Sequence, residues 1–247
     1  MNDARRLLQI CSLAVCCVVA PASPLQAEVV AELYGGGSFT NNADVDLTSP
    51  SFAGTAITFQ GVKFDTSWTV GGRVGYWFKE VGELGAFGVG LDAFTFRANS
   101  DQQDVQLNIG GSSLGTFRIA PIDTSTVAIG FDVLRFRVHL AKRDEFQQGQ
   151  IQPYVSVGPA LFITETSDGG NIFPANQSST KTSVGVKAGA GLNVHLTSAW
   201  SLFGEYRFTH FTSDATFHTS APFAPSQITT NTDLNTHHVV GGISFHF

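Results

Sequence analysis

Residues Thr236 to Phe247 read THHVVGGISFHF. The odd positions Val239, Gly241, Ile243, Phe245 and Phe247 make one small or apolar face, and the even positions His238, Gly242, Ser244 and His246 make a mostly polar one. A period of two is the pattern of a β-strand with different surroundings on its two faces. The chain therefore ends on a strand, and the same period recurs upstream.

Ser67 to Phe78 sets Trp68, Val70, Val74, Tyr76 and Phe78 against Thr69, Arg73 and Trp77, and Thr182 to Leu196 alternates Val184, Val186, Ala188, Ala190, Leu192 and Val194 with polar or glycine positions. Glu28 to Thr40, Ala86 to Arg97, Ile151 to Thr164 and Trp200 to Thr212 read as further strands. In Thr124 to Ala141 the phase slips: Val127, Ile129, Phe131 and Val133 share one parity, Phe136, Val138 and Leu140 the other. A β-bulge near Leu134 restores it. Eight strands result, joined alternately by long polar connections (41–66, 98–123, 165–181, 213–235) and short turns. That asymmetry predicts an all-β fold, an eight-stranded antiparallel up-and-down transmembrane β-barrel. Closure is required because lipid cannot satisfy an open sheet edge.

Composition agrees. Only 14% of the 247 residues are charged, where an ordinary soluble domain carries about 25%; a barrel gives one face of every strand to lipid. No run of about 20 apolar residues exists, which excludes a helical membrane protein. Arg5 and Arg6, the apolar Leu7 to Ala20 and the small-residue sites after it make residues 1–27 a secretory signal peptide. Cleavage is expected after Ala27, with Ala22 as the alternative, leaving a barrel domain over 28–247. Cys11, Cys16 and Cys17 all fall in this segment, so no disulfide or thiolate chemistry is expected of the mature chain. Its net charge of −7, from 12 basic and 19 acidic residues once Asp3, Arg5 and Arg6 are removed, argues against nucleic-acid binding.

With its terminal GGISFHF (Gly241 to Phe247), GEYRFTHF (Gly204 to Phe211) and the alternation over nearly the whole mature chain, the sequence resembles the outer membrane protein β-barrel domain family. That family groups opacity-type surface antigens and OmpA- and OmpX-like small barrels of the porin-like superfamily. The resemblance implies residence in the bacterial cell outer membrane and pairing of the first and last strands. It also implies contact with outer-membrane lipid and lipopolysaccharide, recognition of the C-terminal strand by the barrel-assembly machinery, and a monomer. It brings no ligand and no activity.

Glu32, Arg73, Asp92, Asp132, Lys187, Glu205 and Arg207 lie on the non-lipid faces, joined by Arg135 and Arg137 beyond the bulge. A small barrel has room only for side chains, so these ions are expected to form a lumen charge network. Trp77, Phe78, Tyr154, Trp200 and Phe247 fall at the expected periplasmic ends, and Trp68, Phe94, Phe96, Phe162 and Phe211 toward the outer ends, so two aromatic belts are expected. The segment RFTHFTSDA (Arg207 to Ala215) resembles the His-x-Ser segment of outer-membrane lipid A deacylases, with Thr212 at the Ser position and Ser213 one residue late. His237 and His238, being adjacent, point to opposite faces, and no metal or cofactor is expected. The function expected is a surface protein with a structural or loop-mediated binding role and no catalysis; the alternatives are a small porin-type channel and, more distantly, a lipid hydrolase.

Overall fold

The computed structural model describes residues 28–49, 55–78, 85–143, 146, 149–168, 177–218 and 227–247; the expected signal peptide lies outside them. The described residues form twelve antiparallel strands, a correction to the expected eight: β1(Glu28–Thr40), β2(Ala43–Thr48), β3(Ile57–Val62), β4(Ser67–Trp77), β5(Gly85–Arg97), β6(Gln103–Ile109), β7(Ser112–Ile119), β8(Ile122–Val138), β9(Ile151–Asp168), β10(Ser178–His195), β11(Trp200–His218) and β12(Gln227–His246). Eight of them close a ring in the order β1-β4-β5-β8-β9-β10-β11-β12, sealed by β1 against β12.

The other four come from stretches expected to be loops, and their registers show where they stand. Thr40 faces Thr236 of β12 and Val45 faces Thr232, so β2 carries β1 onward past Asn41 and Asn42 with one residue of slip. Ser38 faces Ser67 and Ala43 faces Val62, so β3 continues β4. In the same way β6 continues β5 and β7 continues β8. The interruptions, at 41–42, 63–66, 98–102 and 120–121, lie side by side around one half of the ring. Pro121 accounts for one of them, since it offers the ladder no donor. Gln103 stitches two others, its side chain bonding the backbone N and O of Lys63 at 3.0 and 2.9 Å. On the opposite half, β9 to β12 run unbroken for 18 to 20 residues, roughly 60–65 Å at the ordinary strand rise. An apolar membrane band is about 25 Å tall, so the wall stands well clear of it at the end away from the termini.

Below the interruptions the outer wall is apolar: Leu33, Val70, Val74, Leu91, Val133, Val155, Val186, Leu202, Val239 and Ile243 are all exposed. The phase slip in β8 is a bulge. Gly88 faces Arg135 and Gly90 faces Asp132, so two residues of β8 stand opposite one of β5, and these two, Val133 and Leu134, are both exposed, at 60% and 46%. That returns Arg135 and Arg137 to the lumen beside Asp132.

The bulge presses on β9. A Cβ at position 158 would lie 1.7 Å from the carbonyl oxygen of Phe131, whereas one at Gly204 would meet nothing within 4 Å. Gly158→Ala is therefore expected to lower the yield of folded barrel severalfold and Gly204→Ala to leave it unchanged, read from the heat-modifiable band on unheated gels. Equal yields would show that the bulge does not need the glycine.

Candidate functional site

The lumen is filled in layers. All seven residues expected there are buried, and they are linked. Arg73 pairs with Glu32 and, at 2.8 Å, with Glu205. Lys187 Nζ lies 2.5 Å from Asp92 and 2.9 Å from Asp132, and Arg207 bridges Asp92 at 3.1 Å and Glu205 at 2.7 Å. Arg135 joins through Glu32 at 3.3 Å. Four cations (Arg73, Arg135, Lys187, Arg207) thus meet four carboxylates (Glu32, Asp92, Asp132, Glu205), and the layer is neutral. Tyr34 donates to Asp92 and Tyr154 donates to Glu205 at 2.8 Å. Burial of so much charge is tolerable only with such pairing, although Nε and Nη1 of Arg135 make no hydrogen bond among the described residues and its guanidinium lies over the Trp77 ring.

Toward the termini a second cluster closes the mouth. Arg137 pairs with Glu28 and donates to Gln152 at 3.1 Å. Arg135 and Arg137 each lie 4.5 Å from the Trp77 ring centroid. Ser201 Oγ is 2.6 Å from His246 Nε2, and His246 Nδ1 is hydrogen-bonded to Glu28. Sequence reading missed this chain of three, whose members come from β11, β12 and β1 and have no common motif. It has the connectivity of a hydrolytic triad, but Ser201 is 1% exposed.

The aromatic expectations need correction. Trp77 and Tyr154 are 4% and 6% exposed and face the lumen, not lipid, and so do Phe94, Phe96, Phe162 and Phe211. These four, with His238, make a plug above the ion pairs: Phe162 stacks on Phe211 at 4.0 Å, and Phe96 and His238 are 4.9 Å apart. His238 is held by Ser38 at 2.7 Å and Thr209 at 3.1 Å. Phe78, Trp200, Phe247 and Trp68 stay on the outer wall. The physical reason is parity: Trp77 shares its face with Arg73, and Phe94 and Phe96 share theirs with Asp92.

Above the plug, at the level of the strand interruptions, lies an apolar vestibule of about 300 Å³. Phe59, Phe64, Phe117, Val62 and Ile119 line one side, Phe217, Ala215, Ile228 and Leu234 the other. Phe59 stacks on Phe117 at 5.9 Å. Near the rim, the paired hydrogen bonds from Arg118 at 2.8 and 3.1 Å hold Asp104 below its usual carboxylate range.

The model of the family described as "Outer membrane protein beta-barrel domain" matches residues 12–247. The chain belongs to that family. Its location is the bacterial outer membrane. No curated protein matches the chain. Among solved structures, the outer membrane protease OmpT of Escherichia coli is similar at 5% identity, covering 89% of this chain and 97% of that one with a TM-score of 0.51. The outer membrane protein OprG of Pseudomonas aeruginosa is similar at 12% identity, with 90% and 96% covered and a TM-score of 0.49. For Ail, the attachment invasion locus protein of Yersinia pestis, the values are 10%, 90%, 99% and 0.38. The likeness to OmpT is one of fold alone.

The hydrolase-like segment of this family member does not assemble. His210 bonds Asn235 at 2.8 Å and Thr212 bonds Asp233 at 2.6 Å, both exposed, while Ser213 lines the vestibule on the other face. His237 bonds Tyr206 on the exposed side of β12, opposite the buried His238. Among the described residues no cluster of metal-ligating side chains occurs.

Asp92→Asn removes one carboxylate charge from a balanced set of eight. It is expected to cost on the order of 3 kcal/mol, the scale for breaking a buried pair. Adding Lys187→Met, which restores neutrality, should recover part of the loss. Urea-unfolding midpoints in detergent check both, and a double variant no more stable than the single one would contradict the charge-balance account.

Proposed function

We propose that the chain is a non-enzymatic surface barrel, closed to solutes across the membrane and binding through the part that stands outside it. The observation that supports this is the stack of filled layers, the eight paired ions beneath the Phe94–Phe96–Phe162–Phe211 plug. A hydrated ion would have to break several buried pairs to pass, and such pairs are strong once desolvated. In this reading the wall beyond the interruptions faces outward and both chain ends face the periplasm. Phe78, Trp200 and Phe247 sit at the inner lipid interface, lipid and lipopolysaccharide surround a monomer, and the C-terminal strand engages the assembly machinery.

Purified barrel in planar bilayers is expected to give no discrete conductance steps in molar potassium chloride. Regular steps from the wild-type protein would favour the porin-type alternative and overturn this reading.

A second reading, acyl transfer, is favoured by one observation, the Ser201–His246–Glu28 connectivity. A serine activated by a histidine reacts with fluorophosphonates. The buried Ser201 is expected to stay unlabelled; an adduct on Ser201 that His246→Ala abolishes would make the barrel a hydrolase.

A further inference from the structure

We propose that the vestibule is a binding site for a small uncharged lipophilic molecule, one with a ring-containing apolar body and a single hydroxyl-type group. The proposal rests on the closed-lumen reading and names the ligand class of the exposed end.

Four features carry it. First, the cavity of about 300 Å³ has no acidic, basic or histidine side chain among the described residues of its lining, so an ion entering it would lose its hydration without gaining a partner there, at prohibitive cost. Second, the walls are aromatic and branched aliphatic, with Phe59, Phe64, Phe117 and Phe217 offering ring faces. An apolar space of this size stays dry or takes an apolar guest, and its volume is at the small end for ligand pockets. Third, among the described residues the lining's polar side chains are hydroxyls alone, Thr124, Thr166, Thr230 and Thr232 among them. They can meet one neutral polar group and cannot neutralise a charge.

The fourth feature is access. The floor is shut by Leu234 and the aromatic plug, with Phe64 packed against that cluster. On the opposite side, among the described residues, the rim is exposed: Phe117 is 50% exposed, and apart from Ile119 all of β7 is exposed. A guest can therefore enter from the outer end and stop above the plug. Guests are held at this level, not passed through.

The test uses full-length mature barrel refolded from urea into lipid nanodiscs, so that no cellular molecule is carried over, with empty nanodiscs as blanks. The probe is 2-naphthylmethanol, followed by equilibrium dialysis, and its partner is 2-naphthoate, the same ring bearing a carboxylate. Saturable uptake of one 2-naphthylmethanol per barrel is expected, with 2-naphthoate at least tenfold weaker. Ala215→Phe, which fills the cavity from the β11 side, should weaken uptake at least tenfold. Phe117→Ser, on the exposed rim strand, serves as a second variant should the first fail to fold, and should weaken it severalfold. Non-saturable uptake, equal binding of the carboxylate, or unchanged binding by the folded variants would overturn the proposal. A barrel that is silent in bilayers yet takes up no probe would overturn the vestibule site alone. A conducting barrel would overturn the closed-lumen reading whatever the probe does.

Discussion

A ring of this size encloses a space that only side chains can fill, and the neutrality of that filling is the constraint on which the rest depends. Lipid outside forces the polar residues of β1, β4, β5, β8, β10 and β11 inward, where no bulk water can solvate them. They must then neutralise one another, and the four-to-four balance of Arg73, Arg135, Lys187 and Arg207 against Glu32, Asp92, Asp132 and Glu205 does so in charge. The bulge in β8 belongs to this requirement. Without its extra residue Arg135 would point to lipid, and the layer would keep four carboxylates with three cations. The demand for Gly158 follows in turn, because the bulged carbonyl occupies the place of a side chain.

Above the strand interruptions the solvent logic reverses. Where lipid lies outside, apolar residues face out; where water lies outside, they face in. In β12 the even positions point inward throughout, yet they are Ile228, Thr230, Thr232 and Leu234 at one end and His238, Ser244 and His246 at the other. In β2, Val45 and Leu47 turn toward the vestibule while Asp44 and Asp46 turn to water. The membrane boundary is thus written as an exchange of which parity carries the apolar residues. The apolar vestibule is the consequence: it is the inner surface of a wall that has left the membrane and still needs a dry side.

That exchange also explains what was legible in the sequence and what was not. The lipid-facing alternation in Ser67 to Phe78, Thr182 to Leu196 and Thr236 to Phe247 was readable because all three lie inside the bilayer band, where the outward positions are apolar. The stretches ADVDLT and QDVQLNI carry the same period with the opposite face apolar and with Asp, Asn and Gln between, which made them look like loops. The lumen ions were readable from parity, and so, in principle, were Phe94, Phe96, Phe162 and Phe211. Sorting those aromatics by their nearness to a strand end, instead of by face, assigned them to the wrong medium. The vestibule had no such signal, since its walls come from seven strands whose registers no local pattern reveals.

The Ser201–His246–Glu28 chain shows how ring closure can create chemistry-like geometry without a motif. Val30 faces His246 across the β1–β12 seam and Ser201 faces Ser244 across β11–β12, so inward residues at the last turn of three neighbouring strands must meet. A glutamate there would be an unpaired buried carboxylate unless something charged or donating reached it, and His246 and Arg137 both do. The same contacts that resemble a catalytic relay therefore tie the first strand to the last, at the seam where an up-and-down barrel is joined only by non-local pairing. A hydroxyl held at that seam and shut from solvent completes a latch between the first strand and the last.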